Sequence, residues 1–129
     1  AAVLLAKLPN YGDEILKRQE VSKQYSKQLN SVLYPFVKEG CTSVWAQYTI
    51  RVQNRDKLQR GLEKQGIPTA VHYPIPLHLQ ECFQYLNYKP GHFPSSESAS
   101  GEVISLPINA FIHNDEIKYI AKNINRITQ

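Results

Sequence analysis

Residues 69–80 hold most of the side chains that could do chemistry. Two imidazoles, His72 and His78, and the phenol of Tyr73 lie within this short stretch. Imidazole N–H and phenol O–H groups can donate hydrogen bonds to carboxylate or phosphate oxygens. Two prolines follow Tyr73 and fix the backbone around them. A stiff backbone that presents hydrogen-bond donors indicates a binding loop. Each histidine, taken alone, also fits a purely structural role.

The spacing of the histidines and cysteines supports neither metal binding nor cysteine chemistry. His72 and His78 do not form a helical i, i+4 pair, and no third ligand lies near them. Cys41 and Cys82 form no CxxC pair and have no basic residue beside them that would activate a thiol. We therefore expect no metal site, and we interpret both cysteines as free thiols of a reducing cytoplasm.

The strands that must position this segment are predicted from alternating hydrophobicity. Residues 44–52 alternate between an apolar core face and a second, amphipathic face that points to solvent or to a partner domain. Two shorter strands are predicted at 67–73 and 103–106. The candidate loop therefore begins where the second strand ends.

Helices are predicted on both sides of these strands. A mostly exposed helix is expected at 10–30, and Asn54 is expected to cap a second helix that Gly66 ends. A third is expected from Pro94, and Asn114 is expected to cap the last, whose isoleucines recur at helical spacing. The order predicts an α+β domain of two layers, with a short three-stranded sheet and helices packed on one face.

The bulk properties exclude several classes of function. A chain of 129 residues with 42% hydrophobic and 20% charged residues is typical of one globular domain. No apolar stretch approaches the roughly 20 residues that span a bilayer, so we expect no membrane role. The net charge of +4 is spread along the chain, which argues against nucleic-acid binding. A modest positive field would suit an anionic small molecule.

The most specific pattern in the chain is VHYPIPLHLQ, which resembles the HYPxPLHLQ motif of the DegT/DnrJ/EryC1/StrS family of sugar aminotransferases. The resemblance extends over the whole chain in the family's order. It includes AAVLLAKLPN, similar to the helix after the family's large domain, then VWAQYTIRVQNRDKLQRGLEKQGIPT, and finally FPSSESASGEVISLPIN.

The resemblance implies that residues 1–129 are the C-terminal small domain of a fold-type I enzyme that uses pyridoxal phosphate. Residues 1–30 would be the helical connection from a missing N-terminal large domain, which holds the cofactor on a lysine. Residues 1–8 are helix formers without a capping residue, which favours a helix that continues from upstream. We expect surplus apolar surface at 1–8 and on the Trp45 side of the first strand.

None of the ten lysines matches the family's cofactor-lysine motif, so we assign no catalytic or cofactor-binding residue here and expect the fragment alone to be inactive.

The resemblance also implies which residues approach the substrate. In related enzymes the His-Tyr of the motif lies near the sugar, in an active site shared between the subunits of a homodimer, and here these residues are His72 and Tyr73. His78, Gln47 and Arg51 are further substrate-binding candidates. Arg51 has the geometry to bind a carboxylate through two N–H groups, although a plain exposed arginine is the alternative.

The implied reaction transfers an amino group, usually from glutamate, to a keto-sugar on a nucleoside diphosphate. The strings VWAQYTIRV and TAVHYPIPLHLQ are most similar to enzymes that act on UDP-linked 3-keto-hexuronic acids for surface polysaccharides. Two alternatives remain open at this point. One is a sugar dehydratase of the same family, and the other is a free-standing α+β binding module without an enzymatic parent.

Overall fold

Five α-helices and a small antiparallel sheet make up the computed structural model, which describes residues 1–129. No helix combines the length and the apolar character needed to cross a bilayer. The elements are α1 (Ala2–Lys7), a 3₁₀ helix (Leu8–Asn10), α2 (Tyr11–Gln28), β1 (Tyr48–Arg51), α3 (Arg55–Glu63), two further 3₁₀ helices (Leu77–Leu79 and Glu81–Leu86), α4 (Pro94–Glu102), β2 (Val103–Leu106) and α5 (Asn114–Thr128).

The sheet pairs β1 with β2 in an antiparallel register that places Ile50 opposite Ile104 and Thr49 opposite Ser105. The α+β class is confirmed, but the third strand predicted at 67–73 is wrong. That segment contributes a single bridge, from Ala70 to Ser105. Prolines at both ends of this segment lack the N–H groups that a longer ladder would need.

The first strand is also shorter than the predicted 44–52. Trp45 has a φ of 49°, which takes the backbone out of the extended region and interrupts the alternation. Val44 and Ala46 are therefore exposed, although they were predicted for the core face. Trp45 itself packs against the core, with its ring centroid 5.5 Å from that of Tyr48. Trp45 itself is thus not part of the expected surplus of apolar surface, but Phe36, which lines a depression with Trp45 and Gln47, is 87% exposed.

One apolar core of 15 buried residues joins the sheet to α2, α3 and α5. Tyr25 of α2 is fully buried, and its ring centroid lies 5.1 Å from that of Tyr48. The Tyr25 hydroxyl donates a hydrogen bond to the carbonyl oxygen of Pro107 at 2.9 Å. Burial raises the pKa of Tyr25 far above its usual value, so its hydroxyl remains protonated and able to donate.

The last helix, α5, contacts the end of α2 through the side chain of Asn125. The Asn125 side chain donates to the carbonyl oxygen of Gln28 at 2.7 Å and accepts from the backbone N–H of Asn30 at 2.8 Å. One side chain of α5 thereby satisfies backbone groups that the end of α2 leaves open. At its own start, α5 is not capped by Asn114 as predicted. Asn114 is the first helical residue, and the backbone N–H of His113 donates to the Glu116 carboxylate at 2.8 Å.

The first helix contributes nothing to the core. No residue of α1 is buried, and the side chains of Val3, Leu4 and Leu5 are 70%, 73% and 67% exposed. The predicted surplus of apolar surface at residues 1–8 is therefore confirmed.

Candidate functional site

The second face of the sheet, opposite the core, carries polar side chains. The hydroxyl groups of Thr49 and Ser105 share a hydrogen bond of 2.9 Å across the strand pair. Next to them lies a surface depression of about 300 Å³, whose lining includes Gln47, Thr69 and His72. We call it the sheet-face depression. It brings together Gln47 and His72, two of the predicted substrate-binding residues that lie far apart in the sequence.

His72 and Tyr73 lie just beyond the bridge that joins Ala70 to Ser105. Both side chains are exposed, and that of Tyr73 is 71% exposed. Their rings stand edge to face across a cis peptide bond, with centroids 5.7 Å apart. The two groups are presented to the surface beside the sheet-face depression, where an imidazole and a phenol can donate hydrogen bonds to a ligand.

Arg51 lies elsewhere and already holds a carboxylate of its own chain. Its Nε and Nη2 atoms donate to the same carboxylate oxygen of Glu102, at 3.1 and 2.6 Å. A hydrogen bond from the Ser98 hydroxyl, together with the Arg51 guanidinium, keeps the pKa of Glu102 below its usual value. Arg51 lines a cleft with Asn54, away from the sheet-face depression. The substrate-binding role of Arg51 stays a prediction.

His78 contacts α4 and does not line the sheet-face depression with Gln47 and His72. Its Nε2 atom lies 3.1 Å from a carboxylate oxygen of Glu97, and its side chain is only 8% exposed. The ring packs against Phe93, with centroids 4.8 Å apart, and its centroid lies 6.5 Å from that of Tyr88. These contacts engage Nε2 and the ring of His78, and its substrate-binding role stays a prediction.

Glu97 is the residue that sequence reasoning missed. Its carboxylate accepts the backbone N–H of Gly91 at 2.9 and 2.8 Å and that of Phe93 at 3.2 Å, besides its contact with His78. The Gly91 hydrogen bond, supported by those of Phe93 and His78, lowers the pKa of Glu97. The only signal in the sequence is a glutamate in the first turn of a helix that begins at Pro94.

Acid should release the Glu97 contacts. A carboxyl group whose pKa is lowered in the folded state stabilises that state above its ordinary pKa, and the contribution disappears as the pH falls through the lowered pKa. We expect the NMR shift of the Gly91 amide to titrate with a midpoint below 4.5, the ordinary value for Glu97. The Glu97→Gln variant should show no such titration. A midpoint at or above the ordinary value would contradict the assignment.

The lysines of this chain lie on its surface. A Schiff-base lysine is activated by burial or by a cationic neighbour. All ten lysines are exposed. No group of three His, Cys, Asp or Glu side chains is placed to hold a metal ion. The side chains at the sheet-face depression are suited to hydrogen bonding with a ligand.

A family model described as the DegT/DnrJ/EryC1/StrS aminotransferase family matches residues 1–125. Among curated proteins, the UDP-2-acetamido-2-deoxy-3-oxo-D-glucuronate aminotransferase of Pseudomonas aeruginosa is 40% identical over 122 residues. That match covers 93% of this chain and 33% of the relative. The chain therefore spans about a third of the length of the curated relatives it matches.

Solved structures of aminotransferases also match nearly the whole of this chain and about a third of their own length. A DegT DnrJ EryC1 StrS aminotransferase from Brucella abortus superposes with a TM-score of 0.91 and is 35% identical, covering 98% of this chain and 34% of that protein. S. venezuelae DesV, solved with a ketimine intermediate, superposes with a TM-score of 0.94 at 26% identity and covers 99% of this chain and 35% of that one.

Proposed function

Because this chain belongs to the DegT/DnrJ/EryC1/StrS aminotransferase family, we propose that it is the C-terminal small domain of a sugar aminotransferase and forms the substrate side of its cleft. The observation that carries the proposal is the sheet-face depression. Gln47 and His72 line it, and Tyr73 lies exposed beside it. An amide, an imidazole and a phenol supply the donors and acceptors that sugar hydroxyl and phosphate oxygens require.

The cofactor of such an enzyme is pyridoxal phosphate, which serves as the electron sink of amino transfer. We propose that no lysine of this chain holds it, and the exposure of all ten lysines supports this. We assign the cofactor to an N-terminal large domain, with residues 1–30 as the helical connection. The exposed leucines and valine of α1 are the surface on which we expect that domain to pack.

The substrate we propose is a UDP-linked 3-keto-hexuronic acid, with glutamate as the amino donor. Support comes from the Pseudomonas aeruginosa relative, whose name specifies a UDP-linked 3-oxo-glucuronate. The net charge of +4 suits so acidic a ligand. We further propose that the enzyme is a homodimer, works in the cytoplasm and serves surface-polysaccharide synthesis. The 129-residue chain alone would be inactive.

Borohydride labelling tests which of the two domains carries the lysine that binds pyridoxal phosphate. Borohydride fixes an imine between pyridoxal phosphate and a lysine, so peptide mapping then identifies that lysine. In the intact enzyme we expect the label on one lysine upstream of Ala1, and in the isolated 129-residue chain we expect no stoichiometric label. Denatured chain serves as the control for non-specific lysine modification. Stoichiometric labelling of any single lysine among residues 1–129 would overturn the assignment of this chain as the substrate side.

A further inference from the structure

Hydrogen bonds hold the loop at 71–77, which carries His72 and Tyr73, at its two ends. No backbone-to-backbone hydrogen bond involves residues 71–75. The Gln80 side chain approaches the carbonyl oxygen of Ile75 at 3.5 Å, which is long for a hydrogen bond. The position of His72 and Tyr73 therefore depends on how firmly each end is held.

The first attachment is the bridge to β2. The N–H of Ala70 donates to the carbonyl oxygen of Ser105 at 3.2 Å, and the N–H of Ser105 donates to the carbonyl oxygen of Ala70 at 2.7 Å. This pair fixes the chain directly before the loop.

The second attachment is His78, which lies directly after the loop in the 3₁₀ helix Leu77–Leu79. The contact between His78 Nε2 and Glu97 is its polar component, and packing against Phe93 is its apolar component. Glu97 is itself immobilised by the backbone N–H groups of Gly91 and Phe93. A carboxylate held by two amides is a fixed point to which an imidazole can be fastened.

Both attachments belong to one continuous piece of structure. Glu97 lies in α4, and α4 runs directly into β2, where Ser105 holds Ala70. The two ends of the loop are therefore fastened to two consecutive elements of the chain. If the second attachment were lost, the loop would remain bound at Ala70 and swing about that point.

We propose that His78 and Glu97 form a clamp that positions His72 and Tyr73 beside the sheet-face depression, and that His78 acts through the loop and does not touch the substrate. This inference rests on the proposed function, in which His72 and Tyr73 bind the keto-sugar. Both members of the clamp are positioning residues. Loosening the clamp spreads His72 and Tyr73 over more positions and so weakens substrate binding without changing the reacting groups.

The test uses Glu97→Gln, His78→Gln and the double variant in the intact enzyme. Glu116→Gln is the matched control, because Glu116 also accepts a backbone N–H at a helix start but lies in α5. We expect each single variant to raise the KM for the keto-sugar about fivefold to twentyfold, with kcat within about twofold. The double variant should do no worse than either single one, because partners in one contact are not additive. Hydrogen exchange in peptides covering 71–77 should become faster, and the half-reaction with the amino donor should be unchanged.

Several results would overturn the clamp. These are an unchanged KM in both single variants, a larger and additive effect of His78→Gln that marks direct substrate contact, or an equal loss in both half-reactions. The proposed function is judged separately by His72→Ala and Tyr73→Phe. If those two variants leave the KM for the keto-sugar unchanged, the substrate assignment fails. If they raise it while Glu97→Gln does not, only the clamp fails.

Discussion

Replacing His72 by alanine or Tyr73 by phenylalanine in the intact enzyme should weaken use of the keto-sugar about tenfold to a hundredfold. The physical reason is a lost hydrogen bond to an anionic ligand, which costs on the order of 1.5–3 kcal/mol. Both side chains are exposed on a loop beside the sheet-face depression, so neither contributes appreciably to the core. We expect the melting temperature to change little.

The two half-reactions can be followed separately through the absorbance of the cofactor. Keto-sugar use should fall, while the reaction with the amino donor remains nearly intact. Tyr85→Phe is a suitable control, because Tyr85 is 73% exposed, close to the 71% of Tyr73, but lies in the 3₁₀ helix Glu81–Leu86 and not next to His72. If both half-reactions fell together, or if the melting temperature collapsed, His72 and Tyr73 would be structural and their binding role would be wrong.

The largest effect on stability should follow from Tyr25→Ala. Tyr25 is fully buried, stacks on Tyr48 and donates a hydrogen bond to Pro107. Truncating a buried aromatic ring to alanine costs about 3–5 kcal/mol, because the ring's contacts are lost and a cavity remains. That is a large fraction of the roughly 5–15 kcal/mol by which a domain is stable. Urea unfolding followed by circular dichroism measures the change.

Tyr25→Phe is the matched control for that measurement. It keeps the ring and removes only the hydroxyl that reaches Pro107, so we expect a loss of about 1–2 kcal/mol. Losses of equal size in the two variants would mean that the hydroxyl, and not ring packing, carries the contribution of Tyr25.

Helices that are marked by a regular spacing of apolar residues could be predicted from the sequence. The helices at α2, α3 and α5 follow from apolar spacing within each segment, and the α+β class follows from their order with the strands. The strand lengths were less predictable, because they depend on single residues. The positive φ of Trp45 ends the alternation early, and the prolines around Ala70 leave one bridge where a strand was expected.

The candidate site was predictable only in part, because it depends on contacts between distant segments. His72 and Tyr73 stand out by type and by the prolines that follow them. The proximity of Gln47 to His72 arises from strand register and from the bridge at Ala70, which hydrophobic pattern alone does not specify. The pairing of His78 with Glu97 arises from the path of the chain around Gly91 and Phe93, and no spacing rule predicts it.

The Asn125 contacts have a consequence for the order of events during translation. Because α5 supplies Ile117, Ile120 and Ile124 to the core and Asn125 to the end of α2, the core stays incomplete until α5 has been synthesised and has packed. Before α5 packs, the apolar faces of α2 and α3 remain exposed to solvent. Contacts between segments so far apart in the chain are slow to form. Until they form, the incomplete domain is prone to aggregation. A stalled or truncated translation product that ends before α5 would be a client for chaperones or proteases.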